Sequence, residues 1–165
     1  MQNLKKVFLT GLCLLLGTCI WNRQELISQA EEITPPGYHI YTTTENEVID
    51  NWYGIARGTY LINGTVGLVK AGKGKVNVSG GTNARSACDE VKAAVYLDQS
   101  INGKTGYGTI GSYYYSESNS TSCYGSESNI SVTSDWWYMV RGVHTVVEGS
   151  TIETTDTQTY AMQAS

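Results

Sequence analysis

The chain has 165 residues, a formal net charge of −4 and charged side chains at only 16% of its positions. This length suits one ordinary domain and excludes a multidomain enzyme. The low charge content is unlike that of disordered chains, which combine low hydrophobicity with high net charge. The acidic balance argues against nucleic acid as a partner, because phosphate binding requires clustered Lys and Arg.

The first thirty residues have the pattern of an export signal. Lys5 and Lys6 precede an apolar run over residues 7–20, which suits a signal-peptide core and is shorter than a membrane span. Ser28-Gln29-Ala30 then places small residues where a cleavage site needs them. We expect residues 1–30 to be a signal peptide, with no stable membrane span after cleavage, so that the protein is secreted. A lipid anchor on Cys19 is the alternative.

Two cysteines, Cys88 and Cys123, remain after the leader. A single pair in an exported chain suggests one disulfide, because exported proteins mature in oxidising surroundings. Closing a loop of about 35 residues would stabilise the fold by roughly 4 kcal/mol in the chain-entropy model. The alternative is a pair of buried thiols.

From residue 54 onward, short stretches of alternating apolar and polar residues are separated by glycines. Residues 91–97 show the clearest alternation, which is typical of a half-buried strand. Asn63-Gly64, Gly72-Lys73-Gly74 and Gly80-Gly81 are expected to form tight turns between strands. Thr, Val and Tyr dominate these stretches, and they favour pleated sheet.

These patterns predict an all-β protein, an antiparallel β-sandwich of about seven to nine short strands preceded by the signal helix. The predicted organisation is a signal peptide over residues 1–30, a linker or N-terminal arm over 31–53, and the sandwich domain over 54–165. Pro35-Pro36-Gly37 indicates the linker because it blocks helix and sheet alike. Within that segment, residues 48–53 are interpreted as a helical turn or a first edge strand.

The tetrapeptide Ser-Glu-Ser-Asn occurs twice, at residues 116–119 and 126–129. A spacing of this size corresponds to one strand and a turn, so the repeat predicts two neighbouring polar strands around Cys123. The alternative is coincidence in a serine-rich stretch.

Residues that could carry catalysis are sparse. His39 and His144 are the only histidines, and neither has Cys, His or Asp neighbours at the spacing that a zinc site requires. The sequence has no Gly-x-Ser-x-Gly elbow, and Gly72-Lys73-Gly74-Lys75 lacks the frame of a phosphate-binding loop. We therefore expect no enzymatic activity, no catalytic residue, no metal site and no cofactor.

Aromatic residues supply most candidates for ligand binding. Tyr113-Tyr114-Tyr115 and Trp136-Trp137-Tyr138 each place rings on both faces of a strand. At least one ring of each run should face away from the core unless another layer covers it. Exposed rings on a sandwich commonly form flat binding surfaces, including for sugars, and the alternative is that these rings fill the core. The candidate ligand contacts from the two runs are Tyr113, Tyr115, Trp136 and Trp137.

Arg141 and His144 are the remaining candidate ligand contacts. They lie in an otherwise largely apolar strand, residues 136–147, where the two-residue period places them on opposite faces. The alternative is structural for both residues. His144 would be a hydrogen-bonded histidine at the edge of the core, and Arg141 would pair with an acid such as Glu148 or Asp98.

Three runs of residues carry a resemblance to a known family. They are residues 74–82 (GKVNVSGGT), residues 91–97 (VKAAVYL) and residues 137–144 (WYMVRGVH). Their order over about residues 54–162 resembles a family of small uncharacterised secreted domains from gut-associated clostridia and related Gram-positive bacteria. Met139 replaces the first arginine of the family's pattern in the third run, which weakens any role for a paired-arginine site. The resemblance implies an exported bacterial all-β domain and brings no activity, cofactor or site residue.

The sequence thus predicts a secreted module for extracellular binding or interaction, with a glycan or cell-surface polymer as its partner. The alternative is a secreted membrane-active toxin or antimicrobial protein, in which the Ser-, Thr- and Tyr-rich residues 105–133 would form an amphipathic hairpin. The alternation in that stretch is weak compared with membrane-crossing strands, which alternate over about 10 residues each. A long edge strand could also pair two copies of the chain.

Overall fold

The computed structural model of the chain describes residues 40–53 and 58–165. Within these residues there are eight strands and no helix, and hence no helix that could span a membrane. The prediction of an all-β protein is confirmed. The predicted signal helix over residues 1–30 and the alternative anchor at Cys19 lie outside the described residues. The strands are β1 (Thr42–Thr43), β2 (Glu47–Tyr53), β3 (Leu61–Gly72), β4 (Lys75–Ser100), β5 (Gly108–Ser131), β6 (Trp137–Glu148), β7 (Thr151–Gln158) and β8 (Ala161–Gln163).

The sheet already includes part of residues 31–53, the segment interpreted as a linker or arm. β2 pairs antiparallel with β3, from Glu47 opposite Val69 to Tyr53 opposite Asn63. β1 pairs with β8 in parallel. Residues 48–53 therefore belong to an edge strand and not to a helical turn, because their backbone groups are paired with β3 along the strand.

Two long strands organise the sheet. β4 and β5 form an antiparallel hairpin, and the other edge of β4 has two successive partners. Its first part pairs with β3 and its last part pairs with β6. A register shift between Asn83 and Cys88 separates these two parts, and a bulge of this kind bends a strand. The hairpin therefore carries one continuous sheet around a bend.

The bend divides the sheet into two half-sheets. The first half-sheet contains β2, β3, residues 75–83 of β4 and residues 122–131 of β5. The second contains β6, β7, β8 and β1 with residues 88–100 of β4 and 108–120 of β5.

The sheet curls into a half-barrel, and the inner faces of its two half-sheets pack against each other. Because β4 and β5 run through the bend without a break, a single curled sheet takes the place of the predicted two-sheet sandwich. The core thus forms between two parts of one sheet. Its central cluster draws buried residues from both half-sheets: Val48, Val66, Leu68, Val76, Val78, Val95, Leu97, Tyr138, Val140, Met162 and Ala164.

Two of the predicted turns lie inside strands. Asn63-Gly64 is part of β3, and Gly80-Gly81 is part of β4. A Cβ on Gly64 would lie 2.2 Å from Cδ2 of His144, and one on Gly80 would lie 2.3 Å from Cγ2 of Val95. Glycine is required here because another part of the sheet approaches closely, and not because the chain reverses. The turn at Gly72-Lys73-Gly74 does form, with φ angles of +128° and +63° at its glycines.

The Ser-Glu-Ser-Asn repeat lies in one strand and not in two neighbouring strands. Both copies belong to β5, on either side of Cys123. The last residue of each copy, Asn119 or Asn129, has a positive φ, 50° and 58° respectively. Asparagine adopts this left-handed conformation more readily than most residues, and the pairing with β4 is irregular close to both positions. The repeat therefore marks two irregularities of a long strand.

Candidate functional site

The two predicted tryptophan contacts are used for packing. Trp136 packs against the central cluster, in which Tyr138 is fully buried. Trp137 points to the other side of β6 and packs with Tyr107 in a separate cluster. Its ring covers Gly103, where a Cβ would lie 2.6 Å from Cδ2 of Trp137. Rings on both faces of this run are therefore covered, as in the packing alternative.

The tyrosine run of β5 divides between the two faces of the strand. Tyr113 and Tyr115 turn inward and pack against the core. Burial, together with the nearby Glu127, raises the pKa of Tyr115 to about 12. Tyr114 faces outward and is 70% exposed. The ring that is open to a partner is thus the middle one, which the sequence interpretation did not select.

Tyr114 belongs to an ordered surface on the outer face of the second half-sheet. Its ring meets that of Tyr96 edge-on, with centroids 6.2 Å apart and planes at 87°. The guanidinium of Arg141 lies over the Tyr96 ring, with Cζ 5.5 Å from the centroid. These two side chains are neighbours because Tyr96 of β4 pairs with Arg141 of β6. We name the surface formed by Tyr114, Tyr96 and Arg141 the Tyr114 patch.

Arg141 is held in place by a buried carboxylate. Asp98 is 1% exposed and accepts hydrogen bonds from Nε and Nη2 of Arg141. The hydroxyl of Thr109 also donates to Asp98, at 2.6 Å, and accepts from Nη2 of Arg141 at 3.2 Å. Hydrogen bonding to Asp98 raises the pKa of Arg141. Arg141 therefore pairs with one of the two expected acids, and it supports the Tyr96 ring as a fixed cation.

The surroundings of the patch combine apolar and charged side chains. Ala94 lies between Tyr114 and Val143 in one cross-strand row, and both aliphatic residues are half-buried. Nearby, Nζ of Lys92 lies 2.6 Å from Oε2 of Glu90. This hydrogen bond is the main reason that the pKa of Glu90 lies below its ordinary value. An apolar strip bordered by charges is typical of interaction surfaces.

His144 lies between the half-sheets and is fully buried. Its Nδ1 is 2.9 Å from the hydroxyl of Thr82, which itself donates to the carbonyl of Lys92 at 2.7 Å. Nδ1 therefore carries the ring proton, because that hydroxyl has only one hydrogen to donate. Nε2 accepts from the hydroxyl of Thr157 at 2.7 Å. Burial lowers the pKa of His144 to about 4, so the ring is neutral near pH 7 and both of its nitrogens are engaged within the protein.

The predicted disulfide is absent from the structure, in which Cys88 and Cys123 are free thiols. Both are buried in the same apolar cluster. Sγ of Cys88 donates to the carbonyl of Ser86 at 3.3 Å, and Cys123 is hydrogen-bonded to the backbone of Ala93. Burial raises the pKa of both thiols, which disfavours the thiolate that disulfide formation requires. The alternative of two buried thiols is the arrangement observed.

A cleft of about 360 Å³ lies beside the edge strand β2. Glu45, Glu47 and Asp50 give it an acidic lining, and Tyr160 contributes a ring. Across residues 40–53 and 58–165, no group of three or more His, Cys, Asp or Glu side chains is arranged to hold a metal ion.

The structure brings only one of the six predicted ligand contacts, Arg141, to the Tyr114 patch. Sequence reasoning missed Tyr96 and Tyr114, and it named Asp98 only as one of two acids that could pair with Arg141. The alternation of residues 91–97 held a signal for Tyr96, because it places that ring on the face opposite the buried Val95. The burial of Asp98 carried no comparable signal, since Asp98 lies on the same outer face as Tyr96, opposite Met139 of β6, and is covered there by side chains from other strands.

Comparison with known proteins places the chain in a family. A protein-family model described as a family of unknown function, DUF6147, matches residues 26–162. The search of curated proteins returned no match. The match covers most of the chain and confirms the expectation of an uncharacterised family. The chain thus belongs to the family of unknown function DUF6147.

Proposed function

We propose that this chain is an extracellular binding module whose Tyr114 patch contacts a glycan or a cell-surface polymer. The observation that carries the proposal is the state of Tyr114, whose ring is 70% exposed yet packed edge-on against Tyr96. A ring that is already ordered loses little conformational freedom when a partner binds. Such a ring offers a flat apolar surface to the C–H face of a sugar.

The residues around Tyr114 fit a polymer that has both apolar and polar groups. Ser112 and Ser116 lie two residues away on the same face of β5 and are exposed. Arg141 and Lys92 add fixed donors at the border of the patch. Their charges are balanced by acidic partners, so this surface favours a polar partner more than a strongly anionic one.

The proposed extracellular location in a Gram-positive bacterium rests on two sequence features. Residues 1–30 have the signal-peptide pattern, with Lys5 and Lys6 ahead of the apolar run. The runs at residues 74–82, 91–97 and 137–144 resemble secreted domains of clostridia and related bacteria. The proposal assigns binding without catalysis to this module.

Binding of the purified protein to an array of glycans and cell-wall polymers tests the proposal. We expect the wild type to retain at least one polymer, and Tyr114→Ala to bind that polymer roughly tenfold more weakly. Tyr160→Ala is the matched control, because Tyr160 is also an exposed tyrosine, at 55%, but lines the cleft beside β2 and lies outside the patch. The proposal would be overturned if the wild type bound no polymer on the array, or if both variants lost binding to the same extent.

The membrane-active alternative predicts a different outcome. Its hairpin would contain β5, whose outward face near the patch carries Ser112 and Ser116 beside Tyr114. Release of dye from liposomes by the wild type, together with a blank array, would replace the proposed binding function with this alternative.

A further inference from the structure

The outer face of the first half-sheet is free of charged side chains over its central area. The register of β2, β3, β4 and β5 aligns twelve outward-facing residues in three cross-strand rows of four. They comprise four hydroxyl side chains, three asparagines, two tyrosines, two glycines and one isoleucine. We name this surface the neutral face. Its rows run from Tyr53, Asn51 and Ile49 on β2 to Ser122, Tyr124 and Ser126 on β5.

The lack of charge is specific to this face of the protein. The three corresponding rows of the second half-sheet, which surround Tyr114, also hold twelve residues, and three of them are charged. These are Lys92, Arg141 and Asp156. Charged side chains occupy 16% of the positions of the whole chain, so about two are expected among twelve. The second half-sheet meets this expectation and the neutral face does not.

Exposed rings stand at two separate positions of the neutral face. Tyr53 is 66% exposed on β2, and Tyr124 is 68% exposed on β5, three strand spacings across the sheet and one row along it, or about 16 Å away. The Tyr124 ring leans over Gly81, where a Cβ would lie only 2.9 Å from Cδ2. The glycine thus lets this ring lie against the sheet, with the rest of its surface open to solvent.

The polar groups between the rings include both donors and acceptors. Nδ2 of Asn83 donates to Oδ1 of Asn63 at 2.7 Å, which orients both amides. Among the described residues this leaves Nδ2 of Asn63 as a donor and Oδ1 of Asn83 as an acceptor with no other hydrogen-bond partner. Thr65 and the serines of the rows add hydroxyl groups, which can both donate and accept.

We infer that the neutral face binds a neutral polysaccharide, separately from the Tyr114 patch. A hydroxyl-rich chain can exchange hydrogen bonds with the amides and hydroxyls and can place a sugar ring over each tyrosine. An anionic or cationic polymer would lose water from its charged groups and find no opposite charge on this face. The distance between Tyr53 and Tyr124 suits a short stretch of polysaccharide and exceeds the size of a single sugar.

A second copy of the chain is a less suitable occupant. The three rows span four residues along the strands, or about 14 Å, and three strand spacings across them, also about 14 Å. Their area is therefore about 200 Å². A stable protein interface buries about 800 Å² on each partner. The neutral face alone is too small for such an interface, whereas a polysaccharide chain can be held by a surface of this size.

Affinity electrophoresis tests the inference, with the purified protein run through gels that contain a soluble neutral polysaccharide. The probes are mixed-linkage β-glucan, glucomannan and dextran, with polygalacturonate as the charged comparison. We expect at least one neutral probe to retard the wild type. Tyr124→Ala and Asn83→Lys should each weaken that retardation roughly tenfold, because one removes a ring and the other places a charge on the face. Tyr160→Ala, which changes an exposed tyrosine outside both the neutral face and the Tyr114 patch, should be retarded like the wild type.

Three results would overturn the inference. They are no retardation of the wild type by any neutral probe, equal retardation of the wild type and Asn83→Lys, and a loss in Tyr160→Ala as large as that in Tyr124→Ala. A dimer that forms with rising concentration in sedimentation velocity and is lost in Asn83→Lys would assign the face to a second copy instead. Thermal unfolding checks that each variant folds. If Asn83→Lys does not fold, Ser126→Lys repeats the test, because it places the charge at an exposed position of β5 on the same face.

Discussion

The imidazole ring of His144 fills the space next to Gly64 on the facing half-sheet. A Cβ on residue 64 would lie 2.2 Å from Cδ2 and 2.3 Å from Cγ of this ring. Gly142, two residues before His144 on β6, is equally confined, because a Cβ there would lie 2.7 Å from Nε2. The half-sheets therefore approach each other through two glycines and one histidine, which Thr82 and Thr157 fix in place by hydrogen bonds.

Gly64→Ala should destabilise the protein by about 2–3 kcal/mol, the upper part of the range for overpacked cores. The His144 ring cannot move aside without weakening its two hydrogen bonds, so the half-sheets would have to separate. The shift of the urea unfolding midpoint measures the loss. Gly108→Ala is the matched control, since a Cβ on Gly108 meets no atom within 4 Å and should change stability by less than about 0.5 kcal/mol. Equal midpoints for the two variants would contradict this account.

His144 should make the stability of the protein fall in acid. Its folded pKa of about 4 is below its ordinary value of 6.5, so the unfolded chain binds the proton more readily. The full contribution is present above pH 6.5 and is lost as the pH falls towards 4, by about 3 kcal/mol in total. Urea unfolding between pH 7.5 and pH 4.5 should show most of this decline.

His144→Gln provides the comparison for that pH profile. The variant lacks the titrating ring but keeps every carboxylate, so the acid-dependent terms of those groups are common to both proteins. Its free energy of unfolding should therefore decline less than that of the wild type over the same interval. Parallel profiles for the two proteins would mean that burial does not hold the ring neutral.

Alternation predicts the two faces of a strand, but not whether the outer face is covered. Residues 91–97 keep the period, and Val91 and Val95 are buried while Lys92 and Tyr96 face outward. Asp98 continues this period on the outer face, where it lies opposite Met139 of β6 and bonds to Arg141, yet it is buried. No local pattern predicts this burial, because it depends on side chains that pack onto the outer face from other strands.

The glycine pairs and the tyrosine run show the same limit. A two-residue period separates Tyr114 from its two neighbours, but the pairing with β4 decides which side is the core. Gly80-Gly81 has the composition of a turn, yet it lies inside β4 because Val95 of the facing half-sheet needs the space. The strand content could be predicted from the sequence. The length of β4 and β5, the bend and the exposed ring of the patch follow from contacts between residues distant in the chain.

Glu153 fastens the chain just before and at the start of β3. Its Oε1 accepts from the amide of Thr59 at 2.6 Å, and its Oε2 accepts from the amides of Tyr60 and Leu61 at 3.0 and 2.7 Å. Burial opposes ionisation, but these hydrogen bonds and the nearby Arg85 outweigh it and hold the pKa of Glu153 below its ordinary value of 4.5. The stabilising effect is therefore present above pH 4.5 and is lost as the pH falls through the lower folded value.

Glu153→Gln should destabilise the protein by about 1–3 kcal/mol, because a neutral amide accepts from these backbone groups less strongly than a carboxylate. Hydrogen exchange at residues 59–61 should become faster than in the wild type. The control is Glu117→Gln, an exposed residue of β5, which should leave exchange at these amides unchanged. Unaltered protection in Glu153→Gln would show that other contacts hold this segment.

Cys88 and Cys123 should both be recovered as thiols from protein purified without reductant. Burial and the raised pKa of each thiol predict slow alkylation by iodoacetamide in native buffer and rapid alkylation in urea. Peptide mass spectrometry distinguishes these two cysteines from Cys13 and Cys19. A peptide in which Cys88 is linked to Cys123 before reduction would contradict the structure.

Arg141 and Asp98 should behave as one unit in stability. Arg141→Ala leaves the carboxylate of Asp98, which is 1% exposed, without its cation, and should cost about 3–5 kcal/mol. Adding Asp98→Asn to that variant removes the unpaired charge, so the double variant should be less destabilised than the sum of the single losses. Urea unfolding of all four proteins gives the coupling energy, which we expect to reach about 1–3 kcal/mol. Lys92→Ala breaks an exposed ion pair with Glu90 and should change stability far less than Arg141→Ala. Strictly additive losses for Arg141 and Asp98 would mean that Asp98 is stabilised without its arginine.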